Sequence, residues 1–358
     1  METDSGVVVY SAEGSRTRVW GSGTRDPAPS DRRSSHFSTG PAENQGSANR
    51  RSPRFRQSAG MPIEAEHLRT WSHAALRAEG HTRADIRRAV SEGRLFHARR
   101  DNYVEGTASD AIKSAVRVGG RLDCVSLMRE LGVFVLQDDP GLHVQIERGR
   151  HWLRAPRSRS IRLRSAAHRV VTHWRVDDAA ADSTVAYPVA ALAQAVRCQT
   201  PRAAIATLDS AVHRGIIRGP DLSEVFERLP ERLQRLRAHI DGRAESGPET
   251  FARLIVRSLG VDVELQVVID GVGRVDLLID GWIIVECDSR AHHGGWEEQE
   301  RDRSRDLAAA ARGFATIRPT ARQIFEQPHL LRESVQGLLT GAAARPLLLP
   351  APRVRDAA

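Results

Sequence analysis

The chain has 358 residues, 40% of them hydrophobic and 5% aromatic, enough for two or three domains at roughly 150 residues each. No run approaches the ~18 consecutive apolar residues that span a bilayer, which excludes a helical membrane protein. Glu2 and Asp4 occupy the region where a basic flank would open a signal peptide, so none is expected.

The net charge is +8, and Lys113 is the single lysine among 53 basic residues, an arginine bias expected of a GC-rich bacterial coding sequence. No Walker A lysine exists, and no lysine other than Lys113 is available for Schiff-base chemistry. The positive field favours polyanions, with nucleic acid first among them. Cys124, Cys198 and Cys287 are odd in number and far apart in the chain. They exclude a disulfide framework and any CxxC zinc cluster, and they point to a reducing, cytoplasmic compartment.

Residues 1–60 are rich in Ser, Gly, Pro and Arg without apolar periodicity and read as a disordered arm. Met61 stands at the border of patterned sequence and is a candidate start. Residues 61–106 read as helices followed by a hairpin. Thr82 and Asp85 form a capping box that opens a helix through Ile86, Ala89 and Val90, and Gly93 ends it. Arg94–Val104 then gives two short strands around an Asp101-Asn102 turn. Helices followed by a basic ribbon describe a winged helix-turn-helix, with Arg83, Arg87 and Arg88 on the second helix and Arg99 and Arg100 on the wing as candidate phosphate contacts.

Residues 107–240 read as a mixed, mainly helical domain. Within it, Arg148–Arg175 carries nine arginines, no acid, and Trp152 and Trp174, a pattern suited to a phosphate backbone with stacked bases. The segments GRLFHARRDNYV, GGRLDCVSLMRELGV and TLDSAVHRGII resemble the AbiEi-like antitoxins of type IV toxin–antitoxin systems, over about residues 63–235. The resemblance implies a DNA-reading head, a middle domain and a cognate toxin as a candidate partner. Asp101 stands where that family commonly has glycine in the wing turn.

Chemistry concentrates in residues 245–340. Ser246-Gly247-Pro248-Glu249 opens a helix whose apolar face is Phe251, Leu254, Ile255 and Leu259, ended by Gly260. Strands are expected at Val263–Ile269, Arg274–Ile279 and Trp282–Asp288, separated by the hairpin signals Asp270-Gly271 and Asp280-Gly281. A helix over Glu297–Arg312, a strand over Phe314–Arg318 and helices from Thr320 complete an αβββαβα order. A flexible tail is expected over 341–358. The fold class is therefore α/β (α+β) and multidomain.

Asp276 and Glu286 are carboxylates inside otherwise apolar strands, costly unless paired, and a divalent cation would offset that cost. Oxygen ligands on adjacent strands suit Mg²⁺ or Mn²⁺. The segments SGPE, RVDLLI, IIVECDSRAHH and RDRSRDLAAAARGFATIR resemble the very-short-patch-repair-like endonucleases, a branch of the PD-(D/E)XK superfamily. By that resemblance Asp276, Glu286 and the Cys287 carbonyl bind metal, and Glu249 is the helical glutamate. Asp302, Arg305 and Arg318 match later charged positions, the two arginines as nucleic-acid contacts. Ser289 departs from the usual glycine, and Asp288 stands where classical members have lysine. Aspartate cannot act there as a cation, and arginine stays protonated. His292 and His293 remain as candidate bases, and either fits.

The function expected is metal-dependent cleavage of DNA phosphodiesters, in phage defence or DNA repair. The alternative is a DNA-binding antitoxin or regulator with a catalytically silent nuclease fold. Hairpin length discriminates. A two-residue Asp280-Gly281 turn would put Asp276 and Glu286 on opposite faces of the sheet, because a one-residue slip flips every side chain. An odd-length loop pairing Leu278 with Trp282 sets Asp276 opposite Ile284, with Glu286 its diagonal neighbour.

Overall fold

Thr82 caps the second helix as its spacing from Asp85 demands. Its hydroxyl accepts from the Asp85 amide at 3.1 Å, while Asp85 accepts from the Thr82 amide at 2.9 Å. In the computed structural model, residues 69–136, 141–176, 178–287, 296–343 and 354–355 are described. They build a mixed α/β structure with four small sheets. The expected arm over 1–60 lies outside them. No helix among them is long and apolar enough to cross a membrane.

The first unit comprises α1 (His73–Ala78), α2 (Arg83–Ser91), β1 (Leu95–Arg99) and β2 (Asn102–Glu105) around Trp71, Leu76, Ile86, Ala89 and Leu95. β1 and β2 pair antiparallel with an irregularity between His97 and Arg99. The turn sits at Arg100-Asp101, one residue earlier than expected, and Asp101 is left-handed at φ 55°. That is the conformation a wing glycine would hold. The Asp101 Oδ1 steadies it by accepting from the His73 amide at 2.6 Å.

Next come α3 (Asp110–Val118), β3 (Arg121–Leu122), α4 (Cys124–Glu130), β4 (Leu142–Ile146), β5 (Arg154–Ala155), β6 (Ser158–Arg162), α5 (Ser165–His168) and β7 (Val170–Trp174). The helices α6 (Pro188–Cys198), α7 (Pro201–His213), α8 (Gly219–Glu227) and α9 (Glu231–Gln234) follow. The sheet order is β3-β4-β7, antiparallel then parallel. Its apolar core includes Leu122, Leu127, Val144, Ile146, Leu192, Leu208 and Phe226.

The last stretch holds α10 (Gly247–Arg257), β8 (Val263–Ile269), β9 (Gly273–Ile279), β10 (Ile283–Val285), α11 (Trp296–Ala310), β11 (Ala315–Ile317), α12 (Ala321–Glu326) and α13 (Pro328–Ala343). This is the expected αβββαβα order, with a third strand shorter than expected. The Ser246 hydroxyl caps α10 by accepting from the Glu249 amide. Where a tail was expected from residue 341, α13 runs on to Ala343, and β12 (Val354–Arg355) pairs antiparallel with β8. The five strands run β11-β10-β9-β8-β12.

The boundary expected near residue 240 is crossed by packing. Ala203 and Ala206 of α7 join the apolar cluster built by α10, α12 and α13. Beside them Arg253 of α10 donates to Asp209 of α7 at 2.7 Å, both side chains being fully buried.

Candidate active site and nucleic-acid interface

Asp276 sits where the five-stranded sheet changes face. Val263 and Leu265 of β8 pack into one cluster, whereas Val267 and Ile269 pack into another. Two residues of equal parity cannot do so in a regular strand. Between them Gln266 is left-handed, at φ 56°, and turns the strand over while the β8–β9 register holds on both sides of it. β9 shows the matching change: Leu277 and Ile279 join the first cluster and Val275 the second. The ladder pairs Leu265 with Leu277 and Val267 with Val275, which brings Gln266 opposite Asp276.

On the other side of β9, Ile279 pairs with Ile283, Leu278 with Ile284 and Leu277 with Val285. The loop is Asp280–Trp282, three residues long but one position later than the odd loop expected. Its parity is the same. Continuing the register past Leu277 and Val285 would set Asp276 opposite Glu286, one residue beyond the end of β10, rather than diagonal to it. Gln266 of β8 and Asp276 of β9 thus stand opposite one another, with Glu286 close enough to feel the Asp276 charge.

Glu249 reaches the same place from the first turn of α10. Its Oε2 accepts from Gln266 Nε2 and from the Glu245 amide, both at 2.9 Å. Asp276 Oδ2 accepts from the Cys287 amide at 2.8 Å, and Glu286 Oε1 from Arg305 at 3.0 Å. Burial pushes all three carboxyls above their ordinary range; the Asp276 charge raises Glu249 and Glu286 further, while Arg305 opposes the rise at Glu286. Gln266 Oε1 is buried with no hydrogen bond among the described residues. Three carboxyls shielded from water and one buried amide oxygen without a partner among the described residues thus gather here, and a nearby cation would favour the charged carboxylates. Arg318 is clamped by Asp306 at 2.7 Å and held above its ordinary value by that pairing. Asp302 is exposed on α11. Asp288, His292 and His293 lie outside the described residues.

Arg83, Arg87, Arg88 and Arg100 are exposed. Arg99 turns inward instead: its guanidinium donates to the Val118 and Trp152 carbonyls, both at 3.3 Å. A side chain so held buttresses the ribbon against α3. In the basic stretch, Arg148, Arg150, Arg157, Arg159, Arg162, Arg164 and Arg169 are exposed, with Trp152 at 74% and Trp174 at 48%. Arg175 departs from them, donating to buried Asp123 at 2.5 and 2.8 Å.

Sequence spacing missed two features. Gln266 carries no motif, and its role follows from its left-handed backbone. Cys124 and Cys198, far apart in the chain, meet in space beside His143 and His173, with candidate ligand atoms all within 4.8 Å of one another. Hydrogen bonds from Cys124 and the two imidazoles hold the Cys198 thiol far below its ordinary value, whereas burial pushes Cys124 up. No protein-family model matches the chain, and no curated protein matches it.

Proposed function

We propose that the protein is a metal-dependent endonuclease hydrolysing phosphodiester bonds in DNA, its C-terminal part a restriction-endonuclease-like domain and its N-terminal part a winged-helix DNA-binding head. The observation that supports this reading is the β9–β10 register, whose continuation past Leu277 and Val285 would face Asp276 to Glu286 near buried Glu249. Asp276, Glu286 and the Cys287 carbonyl would hold Mg²⁺ or Mn²⁺, and the buried oxygen acceptors gathered there fit such a hard cation. When bound, the ion would supply charge neutralisation at the scissile phosphate and acidify a coordinated water. Glu249 holds Gln266, and through it the left-handed backbone opposite Asp276. Arg305 screens Glu286 until a cation or phosphate competes for it. His292 or His293 would accept the proton from the attacking water. The exposed arginines with Trp152 and Trp174 would bind the DNA backbone and bases.

The Arg305–Glu286 pair favours a second reading, a DNA-binding antitoxin or regulator whose nuclease fold is silent, because an ion pair can neutralise Glu286 permanently. Incubating the full chain with supercoiled and single-stranded DNA, with Mg²⁺, Mn²⁺ or chelator, separates the two. The nuclease reading expects cleavage that chelator stops, and that Asp276→Ala and Glu286→Ala each abolish while DNA binding persists. DNA binding without cleavage under any metal condition supports the silent reading, and mutants that still cut sink the site.

A further inference from the structure

We propose that Cys124, His143, His173 and Cys198 form a tetrahedral zinc site that staples the middle domain. It is separate from the carboxylate site and independent of the nuclease reading. Each ligand comes from a different element. Cys124 is the first residue of α4, His143 lies on β4, His173 lies on β7, and Cys198 is the last residue of α6. Parallel pairing sets His143 against Val171 and Gln145 against His173, so the two histidines occupy one face of neighbouring strands, two positions apart. α4 and α6 pack together, and their ends deliver the two sulfurs.

The spacing is that of a coordination shell. Zinc binds imidazole nitrogen at about 2.0–2.1 Å and thiolate at about 2.3 Å, so donors at tetrahedral angles lie about 3.3–3.8 Å apart. Here the four ligand atoms all lie within 4.8 Å of one another, and His143 Nδ1 stands 3.1 Å from His173 Nε2. Among the described residues this is the one His, Cys, Asp or Glu group found with that convergence.

The local backbone bears the cost of the arrangement. Cys124 is a non-glycine residue at φ 54°, a left-handed conformation that persists where surroundings over-determine it. Asp123, at the N-cap of α4, makes no side-chain cap hydrogen bond and gives both its oxygens to Arg175, two residues beyond His173. That buried pair ties the loop before α4 to the end of β7, next to the ligands they present. Gln194 donates to Cys198 Sγ at 3.4 Å, an outer-shell hydrogen bond of the kind that orients metal-bound thiolates.

The donor set selects the metal. Thiolate and imidazole are too soft for Mg²⁺ or Ca²⁺ and suit zinc. Two thiolates and two neutral imidazoles balance a divalent ion with no residual charge. Four protein ligands close the shell, which makes the site structural rather than catalytic. Its effect is to lock the end of α6 onto the β4–β7 pair, on which the exposed basic stretch between those strands is mounted.

The test uses the full chain purified under reducing conditions. Elemental analysis should find about one zinc per chain, and exchange with Co²⁺ should give the intense visible bands of a tetrahedral site with thiolate-to-cobalt charge transfer in the near ultraviolet. Cys198→Ser, at the exposed edge of the cluster, should lose the zinc and the cobalt spectrum, and Cys198→His should regain binding. A strong zinc chelator should lower the wild-type melting temperature and leave that of Cys198→Ser unmoved. Three results would overturn the site: wild-type protein with neither zinc nor a tetrahedral cobalt spectrum, a Cys124–Cys198 disulfide in protein isolated without reductant, or full zinc content in Cys198→Ser. The wild-type measurements stand even if a variant folds poorly.

Discussion

Asp209→Ala should unfold the junction that positions Glu249. Asp209 accepts from Arg253 at 2.7 Å, from the Thr250 hydroxyl at 2.8 Å and from the Asp241 amide at 2.8 Å, and neither charged side chain is exposed. Arg253 Nε and Nη1 are buried without a hydrogen bond among the described residues, so Asp209 is the charge that keeps the guanidinium tolerable. Removing one partner of such a pair costs about 3–5 kcal/mol, since the other is left buried and uncompensated. The loss of about 4 kcal/mol, at about 2.1 cal/mol/K of unfolding entropy per residue, corresponds to a melting temperature about 5–7 °C lower for a chain of this size. Burial raises the Asp209 carboxyl despite its partner, a sign that desolvation outweighs attraction. The pair is then better read as a specifier of the α7–α10 docking than as a source of net stability. It follows that Asp209→Leu with Arg253→Met should be far closer to wild type than either single change. Urea unfolding of the four proteins gives the coupling energy. Single mutants that lose less than about 1 kcal/mol, or a strictly additive cycle, would refute the reasoning.

Four further outcomes are expected. Asp276→Asn keeps an acceptor for the Cys287 amide but removes a charge that burial disfavours; folded wild type then holds its proton above the ordinary 3.8. Between the unfolded and folded values the native state binds more protons, so wild-type stability falls as pH rises through that window and levels off above it. Metal-free Asp276→Asn should therefore gain on wild type across the window and stay ahead at neutral pH by thermal melting; a difference of opposite sign defeats the assignment. Arg99→Ala should cost about 1–2 kcal/mol through its two carbonyl hydrogen bonds. Arg100→Glu, on an exposed position, should shift stability by less than about 0.5 kcal/mol and weaken DNA binding in fluorescence anisotropy. Log K for DNA should fall with log salt at about −0.9 per phosphate contact, and a salt-independent affinity would remove the exposed arginines from the interface.

Local signals were legible in the sequence wherever the cause is local. The capping box at Thr82, the cap at Ser246 and the hairpins at Asp270-Gly271 and Asp280-Gly281 each act over a few residues, and the strand at Val263–Ile269 and the αβββαβα order followed from them. Asp276 and Glu286 stood out because a carboxylate within an apolar run is energetically conspicuous, and Glu249 through the resemblance carried by the SGPE segment. What only the tertiary structure decided depends on distant pairings. The loop position that sets the β9–β10 register, the left-handed Gln266, the inward turn of Arg99 and the α7–α10 ion pair all answer to packing, which no short window contains. The Cys124–His143–His173–Cys198 cluster is the plainest case. Its ligands lie far apart in the chain without a spacing motif, and they converge because a parallel β4–β7 ladder aligns two imidazoles while two helix ends dock over the same face.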